Sequence, residues 1–340
     1  MTLKKKNIFF ISGMLVLFLL LWSATLFADV PDGFTGYGAA TDISPNDETL
    51  VFSYYHEGEA ALYTVPVTGG KAELLAQPDE GDSYINPKFS PDGEAITFVR
   101  QWEEEEGPHG EVMLMDLATN EVEELTSGGG LVTEAVFSPD GDVIYFLQAG
   151  VFENYSPIAQ ERPHGFDIYQ MDLNTKETQQ ITNKDAYDMS ALAVTPDGEQ
   201  LMFKSYDQSD RIIFISLENN AETSPVPIGD FASEAPIISS PALSPDGEQI
   251  AFSDVTATDE NGTFIYEAFL MDLNNYQAEP ITNFREHVTE PVFFHEGDKL
   301  IVTLDKQFAQ KETDYQYWEI NIDGQEQKRL HIEMPENEES

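Results

Sequence analysis

Two glutamates and an asparagine offer the clearest chemistry in this chain. Asn86, Glu134 and Glu290 occupy one position of a repeated pattern, and Ser240 fills that position in another copy. Carboxylate, amide and hydroxyl oxygens are hard ligands, so the set suits Ca²⁺. Three histidines, His109, His164 and His287, would suit zinc or manganese if the fold made them converge. A third set fits a partner rather than an ion. Trp102, Tyr155, Arg162 and His164 are of the residue types that anchor interfaces. Arg285 and His287 either join that set or neutralise Glu290. The run from Glu103 to Glu106 reads as a solvated loop. No residue is assigned as a catalytic nucleophile or base.

The pattern that must position these residues is a repeat. Residues 89–98 read FSPDGEAITF, 137–146 FSPDGDVIYF, 194–203 VTPDGEQLMF and 243–252 LSPDGEQIAF. Degraded copies flank them, ISPNDETLVF at 43–52 and FFHEGDKLIV at 293–302. Equivalent positions lie 46, 48, 57, 49 and 50 residues apart. Copies are followed by Met-Asp-Leu (115–117, 171–173, 271–273) or weaker forms, then closed by Leu125-Thr126, Ile181-Thr182, Ile281-Thr282 or looser versions.

Ser-Pro-Asp-Gly is a turn, because proline presets φ and glycine takes a backbone that other residues avoid. Alternating apolar residues on both sides make strand, turn, strand. Met-Asp-Leu is a third strand, and a polar hairpin leads to a fourth that ends at Leu-Thr. Four antiparallel strands in about 45–50 residues make one propeller blade, and one blade cannot bury both faces alone. The reading is all-β: a six-bladed β-propeller over residues 29–332, with residues 1–28 before it and an acidic, disordered tail over 333–340. Residues 30–37 are a candidate to pair at the seam where such a ring closes.

The order Phe-Ser-Pro-Asp-Gly, strand, Met-Asp, Leu-Thr resembles the PD40-type repeat of TolB-like six-bladed propellers, over about residues 37–332. The resemblance implies the propeller fold. The family is functionally broad, so it implies no single activity. TolB itself has an α/β domain before its propeller, whereas here the first repeat follows the N-terminal apolar segment almost directly. Prolyl-oligopeptidase relatives add an α/β-hydrolase domain, but the sequence has no Gly-x-Ser-x-Gly elbow and few residues after the sixth repeat. Propeller lactonases hold a metal with channel carboxylates and amides, an arrangement that Asn86, Glu134 and Glu290 resemble loosely.

In such a fold, loops between second and third strands share a top face with the loops between blades. The Ser-Pro-Asp-Gly turns lie opposite, so Asp92, Asp140, Asp197 and Asp246 are structural. The third blade has the longest top loop, from Gln148 to Phe166. Long loops on a rigid scaffold are recognition elements. The second and third blades share Pro-His-Gly at 108–110 and 163–165, which either contributes to recognition or steers the chain into the third strand.

Ile8 to Ala28 carries no charge and follows Lys4, Lys5 and Lys6. It is a signal peptide or an uncleaved anchor, and either places the rest outside the cytoplasm. With no cysteine, disulfides and thiolate sites are excluded. A formal charge of −45 argues against nucleic acid and against docking on an anionic membrane. It fits solubility in a salty or alkaline exterior, or a basic partner. The expectation is a monomeric extracytoplasmic module, secreted or held on the outer side of the membrane by its N-terminal segment. It would bind a protein or a cell-envelope polymer through its top face and need no cofactor, Ca²⁺ being the ion best suited to its channel. The alternative is a metal-dependent hydrolase or lyase acting on a carbohydrate or lactone at the channel mouth.

Overall fold

Each repeat folds into a meander of neighbouring antiparallel strands. In the computed structural model the described residues are 33–335, apart from 106, 129, 154–161, 207–208, 309 and 311–312. The chain divides into two compact units, 1–34 and 35–340. Of the first, only Gly33 and Phe34 are described, and the N-terminal segment 1–28 lies outside the described residues. Among the described residues there is no helix long and apolar enough to cross a membrane.

The second unit holds six four-strand meanders among the described residues. They are Gly36–Ile43, Thr49–His56, Glu59–Pro66 and Glu73–Ala76; then Asp82–Phe89, Ala95–Glu104, Gly107–Asp116 and Val122–Glu124. The third and fourth are Leu131–Phe137, Val143–Glu153, Arg162–Asp172, Thr178–Gln180, and Asp188–Val194, Gln200–Tyr206, Asp210–Ser216, Glu222–Thr223. The last two are Ser239–Leu243, Gln249–Thr258, Phe264–Asp272, Ala278–Pro280, and His287–Phe293, Lys299–Asp305, Tyr315–Asn321, Gln327–Arg329.

The turn motif is built from its own side chains. Ser90 Oγ donates to Asp92 Oδ1 (2.6 Å) and accepts the amide of Ala95 (2.9 Å), while Asp92 also accepts the amide of Glu94 (2.9 Å). The same set recurs around Asp140, Asp197 and Asp246. Donation from the serine or threonine hydroxyl holds all four carboxyls below the usual aspartate range. The Met-Asp-Leu aspartates serve the opposite hairpins: Asp116 Oδ1 accepts the amides of Ala118 and Thr119. In Leu-Thr and Ile-Thr the threonine hydroxyl accepts an amide of the third strand, Val112 for Thr126, Ile168 for Thr182 and Ala268 for Thr282.

The cores lie between meanders. Val51 and Leu62 of the first pack with Ile96 and Phe98 of the second. Tyr145 and Leu147 of the third meet Leu201 and Phe203 of the fourth. Ile43, Leu50 and Phe52 of the first pack against Phe294, Ile301 and Tyr317 of the sixth. An isolated meander would expose these faces, so stability comes from neighbours. At about 25 cal/mol per Å² of apolar surface, burying each such side chain contributes about 1.5–3 kcal/mol.

C-terminal residues cross the seam as a strand; of the candidate stretch 30–37, residues 30–32 lie outside the described residues, and Tyr37 reaches across with its ring, 5.2 Å from that of Tyr317. Ile332–Glu333 pairs in parallel with Gly70–Lys71, a two-residue strand between the third and fourth strands of the first meander. The sequence boundary at 332 therefore cuts through a strand, because Glu333 is hydrogen-bonded to the amide of Ala72 (2.9 Å). Of the expected tail, 336–340 lie outside the described residues.

Candidate binding face

Hairpins of three meanders run past the others at the face opposite the Ser-Pro-Asp-Gly turns. The second and third strands are 10 and 10 residues long in the second meander, 11 and 11 in the third, and 10 and 9 in the fifth. In the fourth and sixth they are 7 and 7. Trp102, His109, Arg162 and His164 therefore sit on strands, and His287 opens the strand His287–Phe293, correcting the assignment of all five to loops. Cross-strand pairing extends to Trp102↔His109 and Glu153↔Arg162.

In the second meander this pairing makes an aromatic stack. The rings of Trp102 and His109 are 5.3 Å apart at 17°, with the Arg100 guanidinium 4.9 Å from the Trp102 ring. Glu104 accepts the Trp102 indole N–H (3.0 Å) and lies 3.6 Å from His109 Nε2. Phe152 of the third meander packs on Gly107, where a Cβ would come within 3.2 Å of its ring. In the fifth and sixth meanders His287 stacks on Phe308 at 3.9 Å and meets the edge of Tyr266 at 4.7 Å. Phe264 lies beside Tyr266 and is 51% exposed. Burial holds the His287 imidazole below the usual histidine range.

His164 is placed differently from the expectation of a surface anchor. It is 5% exposed, stacked on Tyr187 at 4.4 Å, with Nδ1 2.9 Å from the Tyr187 carbonyl. It thus belongs to the joint between the third and fourth meanders. The three histidines are held in three different aromatic groups. Among the described residues no cluster of three or more His, Cys, Asp or Glu has the geometry to hold a metal. Arg162 is exposed at the start of its strand, Arg285 is exposed at φ 58°, and Tyr155 lies outside the described residues.

Pro-His-Gly has a structural reason at both sites. A Cβ on Gly110 would lie 2.2 Å from the carbonyl oxygen of Val132, where Gly110 pairs with Leu131 and joins the second and third meanders. Gly165 has φ 68°, and a Cβ there would lie 2.8 Å from Asp185 Oδ1.

The predicted channel residues fall in the irregular stretch of each first strand, where the register shifts. Asn86, Ala191, Ser240 and Glu290 have φ of 52°, 57°, 46° and 47°. The polar side chains at these positions tie neighbouring meanders together. Asn86 Nδ2 donates to the Thr133 carbonyl (2.6 Å), and Ser240 Oγ donates to Glu290 Oε1 (2.7 Å). Glu134 accepts the amides of Ala191 (3.0 Å) and Leu192 (2.9 Å). Asp42 accepts the amide of Phe89 (2.8 Å) in the same way. Asp82–Phe89 and Asp188–Val194 are sheet edges, and the carboxylates of Asp42 and Glu134 satisfy amides there that would otherwise lack partners. Desolvation raises the Glu134 carboxyl above the usual glutamate range, and the charge of Glu290 adds to that. Glu290 has no ion pair with Arg285 or His287 among the described residues.

Three acids escaped the sequence reading. Asp167 accepts the Thr182 hydroxyl (2.7 Å) and the amide of Lys184 (2.6 Å). Glu267 accepts the Thr282 hydroxyl (2.6 Å) and the amides of Phe284 and Arg285. Glu111 accepts the amide of Gly128. Each stands fifteen residues before the closing threonine, a spacing that was available in the sequence. They hold the loops that lead into the next meander.

No protein-family model matches the chain. An uncharacterised protein of Agrobacterium fabrum is 28% identical over 166 residues, 48% of this chain and 50% of that protein, so the match spans about half of each. TolB from Acinetobacter baumannii superposes with a TM-score of 0.59 at 21% identity, covering 89% of this chain and 65% of TolB, just under two thirds of its length. An oligogalacturonate lyase in complex with manganese gives 0.59 at 14% identity, covering 88% and 77%. A puromycin-hydrolysing peptidase of Mycobacterium tuberculosis gives 0.55 at 16% identity, covering 90% and 47%. At these identities the likeness is one of fold, and the chain has a TolB-like β-propeller fold.

Proposed function

We propose that the chain is a six-bladed propeller acting outside the cytoplasm as a binding module for a protein or cell-wall polymer. The observation that carries this reading is the set of overlong hairpins on one face, bearing Trp102 and His109 in one group and Phe264 and Tyr266 in another. Aromatic side chains on rigid strands bind at low entropic cost. The turn face has side chains that are committed to their own turns. The first test is sedimentation of the full-length chain with isolated cell-wall material and with envelope proteins. Saturable binding to either supports the module, and absence of binding to both contradicts it.

The second reading is a metal-dependent hydrolase or lyase at the channel mouth. It is supported by the charge of Glu290 acting on the Glu134 carboxyl, and by the likeness in fold to a manganese-bound lyase. Asn86, Glu134 and Glu290 would supply oxygen ligands, with Ca²⁺ as the best-suited ion. Glu134 already accepts two amides, which competes with that role. Calorimetric titration with Ca²⁺, Mn²⁺ and Zn²⁺ separates the readings. Saturable binding lost in both Glu134→Ala and Glu290→Ala favours the second, and no binding removes it.

A further inference from the structure

Four joints between meanders repeat one contact on the turn face. The glycine of each turn packs on the proline of the turn before: Gly93 on Pro45, Gly141 on Pro91, Gly198 on Pro139 and Gly247 on Pro196, with Cβ positions 3.1–3.8 Å away. The sixth turn lacks this contact, since Gly297 has no such neighbour within 4 Å. Between the sixth and first meanders a different chemistry takes over. In the first turn, Ser44-Pro45-Asn46-Asp47, an aspartate stands where the other turns have glycine. It keeps the left-handed backbone, at φ 58°. In the sixth, Phe294-His295-Glu296-Gly297, a histidine stands where the others have proline.

The two departures answer each other. Proline has no N–H to give. His295 has one, and it donates to Asp47 Oδ1 at 2.7 Å, while the amide of Glu296 donates to Oδ2 at 3.0 Å. The His295 ring adds a contact from Nδ1 at 3.1 Å. Aspartate at positive φ is less favourable than glycine, so the substitution costs the turn something locally. Its return is a charge-assisted clasp between positions 248 apart in sequence.

Two further layers close the same joint. The Tyr317 hydroxyl donates to the Gly38 carbonyl at 2.8 Å. The C-terminal residues form a strap: the amide of Gly70 donates to the His331 carbonyl (2.8 Å), and the Tyr37 hydroxyl reaches that of Ile332 (3.4 Å). Gly69 admits the strap, since a Cβ there would lie 2.6 Å from the His331 oxygen. Every other joint is bridged by the chain that runs from one meander to the next. This one has no such connection, so its contacts alone bear the entropy of closing the loop.

From this pattern we infer that the sixth-to-first joint is a dedicated clasp, formed by Asp47, His295 and the C-terminal strap, and that it is where the molecule opens. Opening there separates the first strand Gly36–Ile43 from the sixth meander, whose Phe294, Ile301 and Tyr317 pack against it. The test is hydrogen exchange on the full-length chain. Asp47→Gly restores the residue of the other turns and keeps their backbone, so folding is preserved. It should lower protection of Gly36–Ile43 and Tyr315–Asn321 by about tenfold and leave Val143–Glu153 unchanged. His295→Pro should do the same, with no further loss when the two are combined. Lys71→Cys with Glu333→Cys, register partners in a chain without cysteine, should restore protection when oxidised. Unchanged protection at the two strands in Asp47→Gly would overturn the inference. So would an equal loss in Val143–Glu153, or a closed disulfide that slows nothing.

Discussion

Asp254 is 0% exposed, in the second strand of the fifth meander, and accepts the amide of Val255. Its Oδ2 has no hydrogen-bond partner among the described residues. Desolvation pushes its carboxyl up to about 6, against amide donation from Val255 and Ile237. The folded pKa lies above the unfolded value, so the penalty of burying the charge is absent below about pH 4 and complete above about pH 6. Asp254→Asn should therefore stabilise by about 3 kcal/mol at pH 8 and by little at pH 4. Denaturant melts at the two pH values check this, and equal shifts at both would contradict it. The turn aspartates have the opposite sign. Their lowered values add stability above the ordinary aspartate pKa, lost as pH falls through the folded values. These aspartates were legible in the sequence because the motif carries its own hydrogen-bond partners within five residues. Asp254 was not, because its burial depends on a loop from the preceding meander.

Among the elements, the repeat revealed strands and turns but misjudged the hairpins. Gln148–Phe166 reads as a loop because its glycines and prolines interrupt alternation, yet cross-strand pairing continues to Glu153↔Arg162. Pro-His-Gly left recognition and steering both open, and the backbone distances show a structural need. Gly110 lies against the Val132 carbonyl where the second and third meanders pair directly, at Leu131↔Gly110. Gly110→Ala should cost about 1–3 kcal/mol by overpacking, because backbone on both sides resists movement. A change in melting midpoint measures it, and an unchanged midpoint would show that the joint can relax. The channel positions were placed by counting from the turn motif, and they do fall together in the irregular first strands. Their partners were not legible, since each partner lies on the next meander about fifty residues away.

For the whole molecule, charge and closure dominate. A formal charge of −45 opposes compactness, and screening relieves it. Raising salt from about 0.1 M to about 1 M shortens the Debye length from about 10 Å to about 3 Å. The melting temperature should rise across that range, and a flat or falling profile would contradict self-repulsion as a major term. The degraded first and sixth copies looked like decay of the repeat, although they meet at the seam and complement each other there. The central claim is recognition through the overlong hairpins. The measurement that tests it most directly is quantitative sedimentation with cell-wall and envelope fractions for wild type, Trp102→Ala, Phe264→Ala and Leu74→Ala. Leu74 is 52% exposed on an outer strand and serves as the control. The account predicts saturable binding, weakened about tenfold or more by either aromatic substitution and unaffected by the control. Binding that all three variants share equally with wild type would contradict it.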